Sequence, residues 1–563
     1  MRRRARGIGA SAALLVAVLL SGCASIPSSG GVSPGNDATV EDPPELDTIV
    51  PPPVKGANQE TILRGFLDAA ASPRNNYQAA REFLTPAFAD EWSAAAGATI
   101  DAPVDRVFET VDETAMELEV TPIASLTSTG QYDALDSTAP IALPYRFEQV
   151  EGEWRISEAP QGLLVDEITF GQVFGDYPLY FFDPEYRYLV PDVRWFAGRD
   201  SIQTSIVNAL LAGPVDWLEP GVVSAFPEGV SLEPAAVPVA GREASVNLSG
   251  AAFDNLVTVQ RMELQLEESL DSVRSIDGVA LSLEGARQDV PDLSPVPVKN
   301  PRVDPRAVVF DGETFGHLAT SGEGIEPIPG LSDQVVELAP TGVALGPGDE
   351  SAAVRSGTGV SLVRVGEEPI LLDPRADPIV PALDVDGGVW SVPTDSPGEL
   401  FWYSPDGETA RPMGAPWSGT SIAALEVSRD GTRIVALLAD GARTHFTAAS
   451  IQRDADGLPV ALSPVVLPLA DVAGTPVDVA WLDSSTVASL TAVPAGGTRV
   501  VIQELGGTST VRQGPDGGVA VDGGNGQRDL KVLTVGGTLE AQSGVGWQVR
   551  VGGIRLVAAQ QTG

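Results

Sequence analysis

Residues 424–436 read ALEVSRDGTRIVA, and this stretch decides the fold of the C-terminal part of the chain. Two apolar runs, each predicting a short β-strand, flank the turn sequence Ser428-Arg429-Asp430-Gly431. Similar strand and turn signals recur, with a spacing of roughly 40 to 50 residues that is typical of propeller blades. They lie at 342–355, 386–392 and 479–488. Region 306–563 is therefore predicted to be an all-β propeller of about six blades.

The turn motif supports this prediction. The Ser-x-Asp-Gly turn that begins at Ser428, followed by a strand sequence that ends at Ala436, resembles exported propellers of the TolB kind. Upstream, residues 291–305 are rich in proline and acids, which predicts a linker.

Region 168–290 alternates predicted strands and helices, as an α/β domain does. Strands are expected at 179–182, 189–196, 244–248 and 279–283, and helices at 202–211 and about 253–273. The region resembles the GerMN domain, a small α/β module of exported bacterial proteins. The matching residues are Ala209 to Pro214, Phe226-Pro227, Val246 to Ser249 and Ser269-Leu270.

Region 59–167 begins with helices and ends in strands. Ile62, Leu63, Phe66 and Leu67 recur at helical spacing, and strands are predicted at 115–120, 142–150 and 154–158. This helix-first order, closed by a hairpin, resembles the α+β cone of nuclear-transport-factor-type domains. A cone of this kind holds a ligand pocket or packs against a partner.

The N-terminus carries the features of an export signal. Four arginines within residues 2–6 precede an apolar run, 8–20, that is too short to span a bilayer. The sequence Leu20-Ser21-Gly22-Cys23 then resembles the bacterial lipobox. The resemblance implies cleavage between Gly22 and Cys23, a diacylglycerol on the Cys23 thiol and acylation of the new amine. Residues 1–22 are thus predicted to be a lipoprotein signal peptide; the alternative is an ordinary secretory signal with a chance cysteine.

Residues 23–58 are predicted to be a Pro/Gly/Ser-rich tether, since they lack hydrophobic periodicity and end in Pro51-Pro52-Pro53. The tether would lift the folded domains off the membrane that holds the lipid.

The composition narrows the possible functions. A net charge of −41 disfavours nucleic-acid binding and electrostatic docking on anionic lipid. A single cysteine excludes an intrachain disulfide and a thiolate metal site. The only histidines, His317 and His445, lie in strand-like sequence, so they are predicted to be blade residues rather than catalytic bases. No catalytic residue, metal site or cofactor is predicted.

Three further motifs are predicted to be structural. Asp384, Asp386 and Gly387 resemble part of a calcium loop, but Val389 stands where the EF-hand needs glycine, so a blade turn is expected. The glycine cluster 523–526 lacks a following helix or lysine and is not expected to hold phosphate. The aromatic residues Phe401, Trp402 and Tyr403, with Trp390 and Trp417, are expected in the core, with a binding face as the alternative.

The order of lipobox, tether, helix-then-hairpin domain, GerMN-like module and propeller resembles the actinobacterial LpqB lipoprotein family from end to end. The resemblance implies a lipid-anchored protein on the extracytoplasmic face of the cell membrane. It also implies a non-enzymatic role in modulating a sensor histidine kinase, MtrB-like, of a two-component system linked to the cell wall and division. Two alternatives remain: a binding lipoprotein that captures a cell-wall fragment or small ligand, and a wall-active hydrolase.

Replacing Cys23 with Ser is expected to release or mislocalise the protein, because several acyl chains on one residue anchor firmly and a hydroxyl cannot take their place. Fractionation of cells into membrane and soluble material measures the change, and thermal unfolding of the released protein should match that of the wild type. A Cys23→Ser variant that still partitions with lipid would contradict the lipobox interpretation.

Overall fold

The computed structural model describes residues 51–562 apart from 103–105, 136–138, 199–200, 251–254, 321–323, 442, 471 and 545. All of these residues belong to the compact unit Asp42–Gly563. Within the part of the chain described, no helix has the length and apolar character needed to cross a membrane.

The N-terminal domain places three helices against two four-stranded sheets. Asn58 begins the first helix by accepting the backbone N–H of Thr61 at 3.0 Å, which satisfies one of the free donors of the first turn. The elements are α1 (Gln59–Ala69), α2 (Arg74–Arg81), α3 (Pro86–Glu91), β1 (Gly97–Asp101), β2 (Val107–Asp112), β3 (Ala115–Val120), β4 (Pro122–Thr127), β5 (Tyr132–Ala134), β6 (Ile141–Val150), β7 (Glu153–Glu158) and β8 (Leu163–Asp166). The strand orders are β5-β4-β1-β8 and β2-β3-β6-β7.

The middle domain is built on a long antiparallel hairpin and a mixed sheet. The elements are α4 (Glu167–Val173), β9 (Phe174–Phe182), β10 (Tyr188–Ala197), α5 (Ile202–Ala212), β11 (Ser231–Leu232), β12 (Val239–Ala240), β13 (Glu243–Ser249), α6 (Leu256–Leu270), β14 (Gly278–Leu283), β15 (Ala286–Arg287) and β16 (Val298–Lys299). The strand orders are β16-β10-β9 and β11-β13-β14-β15, with β12 also paired to β13.

The described residues of the C-terminal region form strands, one short α-helix and three single-turn 3-10 helices. Its elements are β17 (Val308–Phe310), β18 (Phe315–Leu318), β19 (Ile325–Pro327), α7 (Ser332–Glu337), β20 (Gly342–Leu345), β21 (Ser351–Ser356), β22 (Gly359–Arg364), β23 (Ile370–Asp373), β24 (Ala382–Leu383), β25 (Val389–Ser391), β26 (Glu399–Tyr403), β27 (Ala410–Gly414), β28 (Ser421–Val427), β29 (Arg433–Asp440), β30 (Arg443–Arg453), β31 (Pro459–Leu462), β32 (Leu467–Pro468), β33 (Thr475–Trp481), β34 (Thr486–Ala492), β35 (Thr498–Glu504), β36 (Ser509–Gly514), β37 (Gly518–Asp522), β38 (Lys531–Thr534), β39 (Leu539–Ser543), β40 (Gly546–Val551) and β41 (Leu556–Gln560).

These strands form six propeller blades among the described residues, which confirms the predicted propeller. Four blades are consecutive: β24 to β27, β28 to β31 with β32 on β30, β33 to β36, and β37 to β40. The other two, β20 to β23 and β41-β17-β18-β19, are joined through a short parallel pairing of β41 with β20. The six inner strands contact one another in a closed cycle, β20, β24, β28, β33, β37 and β41.

The ring is closed by the C-terminal strand. β41 pairs antiparallel with β17, where Val308 opposes Ala558, and parallel with β20, where Ala344 opposes Ala559. The innermost strand of this blade thus comes from the end of the chain and the three outer strands from the start of the propeller. Such pairing leaves no open edge between the first and last blades.

The N-terminal and middle domains share one structural element, the β9–β10 hairpin. Its base, with Phe174, Val193 and Trp195, packs in the core of the N-terminal domain together with Phe170 of α4. The other end of the hairpin, including Phe181, packs in the core of the middle domain. The two cores therefore meet along this hairpin, and the boundary between the domains does not fall at a single residue.

The predicted linker 291–305 is docked against the folded domains. Val298 and Lys299 form β16 beside β10, and the Lys299 ammonium contacts the Glu268 carboxylate of α6 at 2.7 Å. The predicted helix 253–273 is described over the shorter range Leu256–Leu270, with Asn255 as its N-cap.

Ala558→Pro is expected to lower the free energy of unfolding by about 1–3 kcal/mol, because proline in a strand with neighbours on both sides removes a ladder hydrogen bond and leaves its acceptor unpaired. Ala410→Pro is the matched control, since Ala410 is exposed on β27 at the outer edge of its blade. Denaturant unfolding followed by tryptophan fluorescence measures both variants. Equal losses in the two would show that ring closure contributes little to stability.

Candidate functional site in the propeller channel

The inner strands of the six blades surround a central channel. Its cavity has a volume of ≈ 730 Å³, part of which opens to solvent, and every inner strand contributes to its lining. Most of the lining is small or apolar, as at Ala344, Ala382, Ala424 and Val521. Three carboxylates and one guanidinium interrupt it, and these groups are the candidate functional residues: Glu426, Asp478, Asp522 and Arg429.

Two of the carboxylates tie one blade to the next. Glu426 on β28 accepts the backbone N–H of Trp481 on β33 at 3.1 Å. Asp478 on β33 accepts the backbone N–H of Val521 on β37 at 2.8 Å. β28, β33 and β37 belong to three different sheets and share no ladder, so these side chains supply acceptors for backbone donors at the boundaries between blades.

Burial makes both carboxyl groups weaker acids than exposed carboxyl groups. It raises the pKa of Glu426 to about 8, with the nearby Asp478 charge acting in the same direction. Burial likewise raises the pKa of Asp478 to about 7. Near neutral pH Glu426 is therefore mostly protonated and Asp478 about half protonated, and a protonated carboxyl group can donate as well as accept a hydrogen bond.

Asp522 is the carboxylate with a cationic partner. Its Oδ2 lies 3.1 Å from Nζ of Lys531, although burial still raises the pKa of Asp522. The neighbouring Arg429 is also buried, which lowers its pKa, and its Nη2 donates to the carbonyl oxygen of Trp481 at 3.1 Å and to that of Gly524. Charge in the channel is thus only partly compensated.

The glycine cluster 523–526 serves close packing at this end of the channel. A Cβ on Gly523 would overlap the carbonyl oxygen of Trp481, so no larger residue fits. Asn525 of the same turn exchanges two hydrogen bonds with the backbone of Val303, at 3.0 and 2.9 Å. The cluster joins the linker to a blade.

The middle domain and the linker cover one face of the propeller. This face carries the turns that connect the first and second strands of the blades. Arg187 forms a bidentate ion pair with Asp386 in one such turn, at 2.7 and 3.2 Å. On other blades, Trp195 Nε1 donates to the carbonyl oxygen of Gly506 at 3.0 Å, and Ser484 contacts Asn300. Since Val303 also lines the channel, that end of the channel lies beneath the linker.

The predicted blade turn at Asp384 is confirmed. The Asp384 carboxylate accepts the backbone N–H of Gly388 at 2.8 Å and the indole N–H groups of Trp402 and Trp390 at 3.1 and 3.3 Å. These donors occupy the oxygens that a calcium ion would need. Trp390 and Trp402 are accordingly buried, which confirms the prediction that they belong to the core.

Both histidines lie in blade strands, His317 in β18 and His445 in β30, as predicted. His317 Nε2 lies 2.9 Å from Asp349 Oδ2, and its Nδ1 has no hydrogen-bond partner in the described residues. No group of three or more His, Cys, Asp or Glu side chains within the described ranges is arranged to hold a metal ion.

The lipobox residues Leu20, Ser21, Gly22 and Cys23 lie outside the described residues. The channel residues, by contrast, were not singled out from the sequence. Their signal was nevertheless present, because Glu426 and Asp478 interrupt apolar strands that every other feature assigns to blade interiors.

Three family models match successive parts of the chain. "Lipoprotein LpqB, N-terminal domain" matches residues 52–171, and "Lipoprotein LpqB beta-propeller domain" matches residues 316–555. Between them, a model named Germane and described as "Sporulation and spore germination" matches residues 178–289.

Similar proteins carry the same family name. Lipoprotein LpqB of Rhodococcus opacus is 29% identical over 65% of this chain and 57% of its own length. Lipoprotein LpqB of Cutibacterium acnes is 26% identical over 69% of this chain and 74% of its own length. The chain thus spans just over half the length of the first of these relatives. Among solved structures, the nidogen/laminin complex gives a TM-score of 0.31 at 14% identity, covering 42% of this chain and 88% of that one, which is too low to bear on function.

Glu426→Gln is expected to flatten the pH dependence of stability. The folded protein holds the Glu426 proton more tightly than the unfolded chain, whose pKa is near 4.5, so stability falls as the pH rises from there toward 8. Glutamine still accepts the Trp481 N–H but does not titrate. Between pH 5 and pH 8 the free energy of unfolding of the variant should therefore rise relative to that of the wild type, by at most about 4 kcal/mol.

Urea unfolding at pH 5, 6.5 and 8 measures this difference. Glu368→Gln, at an exposed position of the same domain, is the control and should follow the wild type. Parallel profiles for Glu426→Gln and the wild type would contradict the weak acidity of Glu426.

Proposed function

The chain belongs to the LpqB lipoprotein family, and from that premise we propose that it is a lipid-anchored, non-enzymatic protein of the extracytoplasmic face of the cell membrane that binds and modulates a protein partner. The partner we propose is the extracellular domain of a sensor histidine kinase, MtrB-like, in a two-component system linked to the cell wall and division. Anchoring at Cys23 would hold the domains at the surface where such a sensor is exposed.

The observation that carries the proposal is the clamp between the middle domain and the propeller. Domains within one chain move relative to each other by default unless their interface is extensive. Here the ion pair of Arg187 with Asp386, the bond from Trp195 to Gly506 and the reciprocal bonds between Asn525 and Val303 reach several blades. The three domains therefore present one preorganised surface, and preorganisation lowers the entropy that binding costs.

The charge of the chain supports a protein partner with a basic surface. At −41 the protein repels other anionic surfaces and attracts cationic ones over a distance set by the ionic strength. Complementary charge chiefly accelerates association. We therefore expect the association rate with the sensor domain to fall as salt is added, while the dissociation rate changes less.

The test is binding of the full chain, anchored in a lipid nanodisc, to the purified extracellular domain of the sensor kinase. Association and dissociation rates are measured at low and high salt. Saturable binding with a salt-dependent association rate is expected. Arg187→Ala should weaken binding, because it loosens the clamp without removing any residue of the uncovered surface.

Arg242→Ala is the matched control. Arg242 forms an ion pair with Asp277 on the same domain, but both side chains are exposed and the pair does not reach the propeller. Kinase phosphorylation in cells that lack the protein gives the functional measurement. Absence of binding together with unchanged kinase output would overturn the proposal.

A further inference from the structure

A second cavity lies in the N-terminal domain, far in sequence from the propeller channel. Its volume is ≈ 380 Å³, part of it open, and its walls come from α1, β1, β6, β8 and the segment after α3. Most of the lining is apolar or aromatic, including Phe66, Trp92, Leu143, Tyr145 and Leu163. Pockets that bind small molecules are concave and mostly apolar with a few polar groups, and this cavity has that character, so it is a candidate ligand site.

Trp92 contributes an unused hydrogen-bond donor to this domain. The side chain is 1% exposed, and its indole Nε1–H has no acceptor among the described residues. The ring is nevertheless fixed, since Phe66 and Tyr77 meet it edge-on at centroid distances of 5.3 and 6.3 Å and the Arg81 guanidinium lies 5.3 Å away. A buried donor without a partner is costly, and buried indoles usually have one.

Other tryptophans of this chain follow that rule. Six of the nine donate their indole N–H to a carbonyl or carboxylate oxygen: Trp195, Trp390, Trp402, Trp417, Trp481 and Trp547. Trp92, which lines the cavity, is therefore an exception.

The charges near the cavity indicate a neutral ligand. Arg106 and Asp101 form a bidentate ion pair, with both N···O distances at 2.7 Å, so the two charges compensate each other. Neither residue lines the cavity. Besides Trp92, the polar lining side chains are Thr99, Tyr145 and Gln161, and the amide oxygen of Gln161 already accepts the backbone N–H of Ser93 at 2.8 Å. No side chain that lines the cavity carries a charge, so its walls offer an ion no charged partner.

We propose that this cavity binds a small, neutral, largely apolar molecule that carries one oxygen acceptor, and that Trp92 Nε1 donates the hydrogen bond that recognises this oxygen. The apolar body of the ligand fills the space between α1 and β8, and its carbonyl or ether oxygen satisfies the indole. This site is separate from the proposed kinase contact, so an experiment can disprove either proposal without affecting the other.

The probe is the neutral dye 6-propionyl-2-(dimethylamino)naphthalene, whose emission depends on the polarity around it and on hydrogen bonding to its carbonyl. The dye is titrated into the full chain. We expect saturable binding at one site with emission shifted to the blue of that in water. Trp92→Phe should weaken binding about fivefold, since one net hydrogen bond is lost, and shift the bound emission further to the blue.

Trp154→Phe is the matched control, because Trp154 lies in the same domain, is partly buried and does not line the cavity. It should bind the dye as the wild type does. Leu143→Trp should abolish binding by filling the cavity from a half-buried position. Circular dichroism and thermal unfolding confirm that each variant is folded.

A pair of competitors tests the hydrogen bond without any substitution. 2-Heptanone and n-octane have the same number of heavy atoms, but only the ketone carries an acceptor. The ketone should displace the dye from the wild type more effectively than its partition into apolar solvent predicts, and this advantage should disappear in Trp92→Phe. Three results would each overturn the proposal: no saturable binding of the dye, dye binding unaffected by Leu143→Trp, or equal displacement of the dye by the two competitors after correction for their partition into apolar solvent.

Discussion

The pairing of β41 with both β17 and β20 is the constraint on which the rest of the molecule depends. Without the last strand, the first and last blades would each expose an edge and the inner strands would not form a cycle. The channel exists only within that cycle, and the contacts of the middle domain and the linker reach several blades, so they also depend on the blade positions that the cycle fixes. Both the channel and the contacts between the middle domain and the propeller therefore require a closed ring.

Carboxylates serve two purposes in this ring. Glu426 and Asp478 accept backbone N–H groups from the next inner strand, so they help to hold neighbouring blades in place. The same burial raises the pKa of each group, which leaves weakly acidic side chains facing an enclosed space. Each of these two residues therefore joins neighbouring blades and is also a candidate group for recognising a ligand. In Glu426→Gln the neutral amide still accepts the backbone N–H but no longer titrates, so the variant separates the two roles.

Much of the fold could be predicted from local patterns. The unit at 424–436 forms β28 and β29 across its predicted turn, and the helices at 59 and 202 begin where the apolar periodicity begins. Contacts between distant segments could not be predicted, because no local pattern encodes them. The sharing of the β9–β10 hairpin by two cores, the docking of the linker on β10 and the pairing of Arg187 with Asp386 depend on residues far apart in sequence. The channel site was missed for the same reason, since Glu426 gains its properties from Asp478 and Trp481 on another blade.

Placing the innermost strand at the end of the chain has a consequence for biosynthesis. β17 leaves the ribosome well before β41, separated by the residues between Phe310 and Leu556, which at about 5–20 residues per second is a delay on the order of 10 to 50 s. During that time the inner edge of β17 has no partner, and a bare strand edge can pair with other chains. The propeller therefore stays incomplete, and this strand edge unprotected, until the last strand is in place.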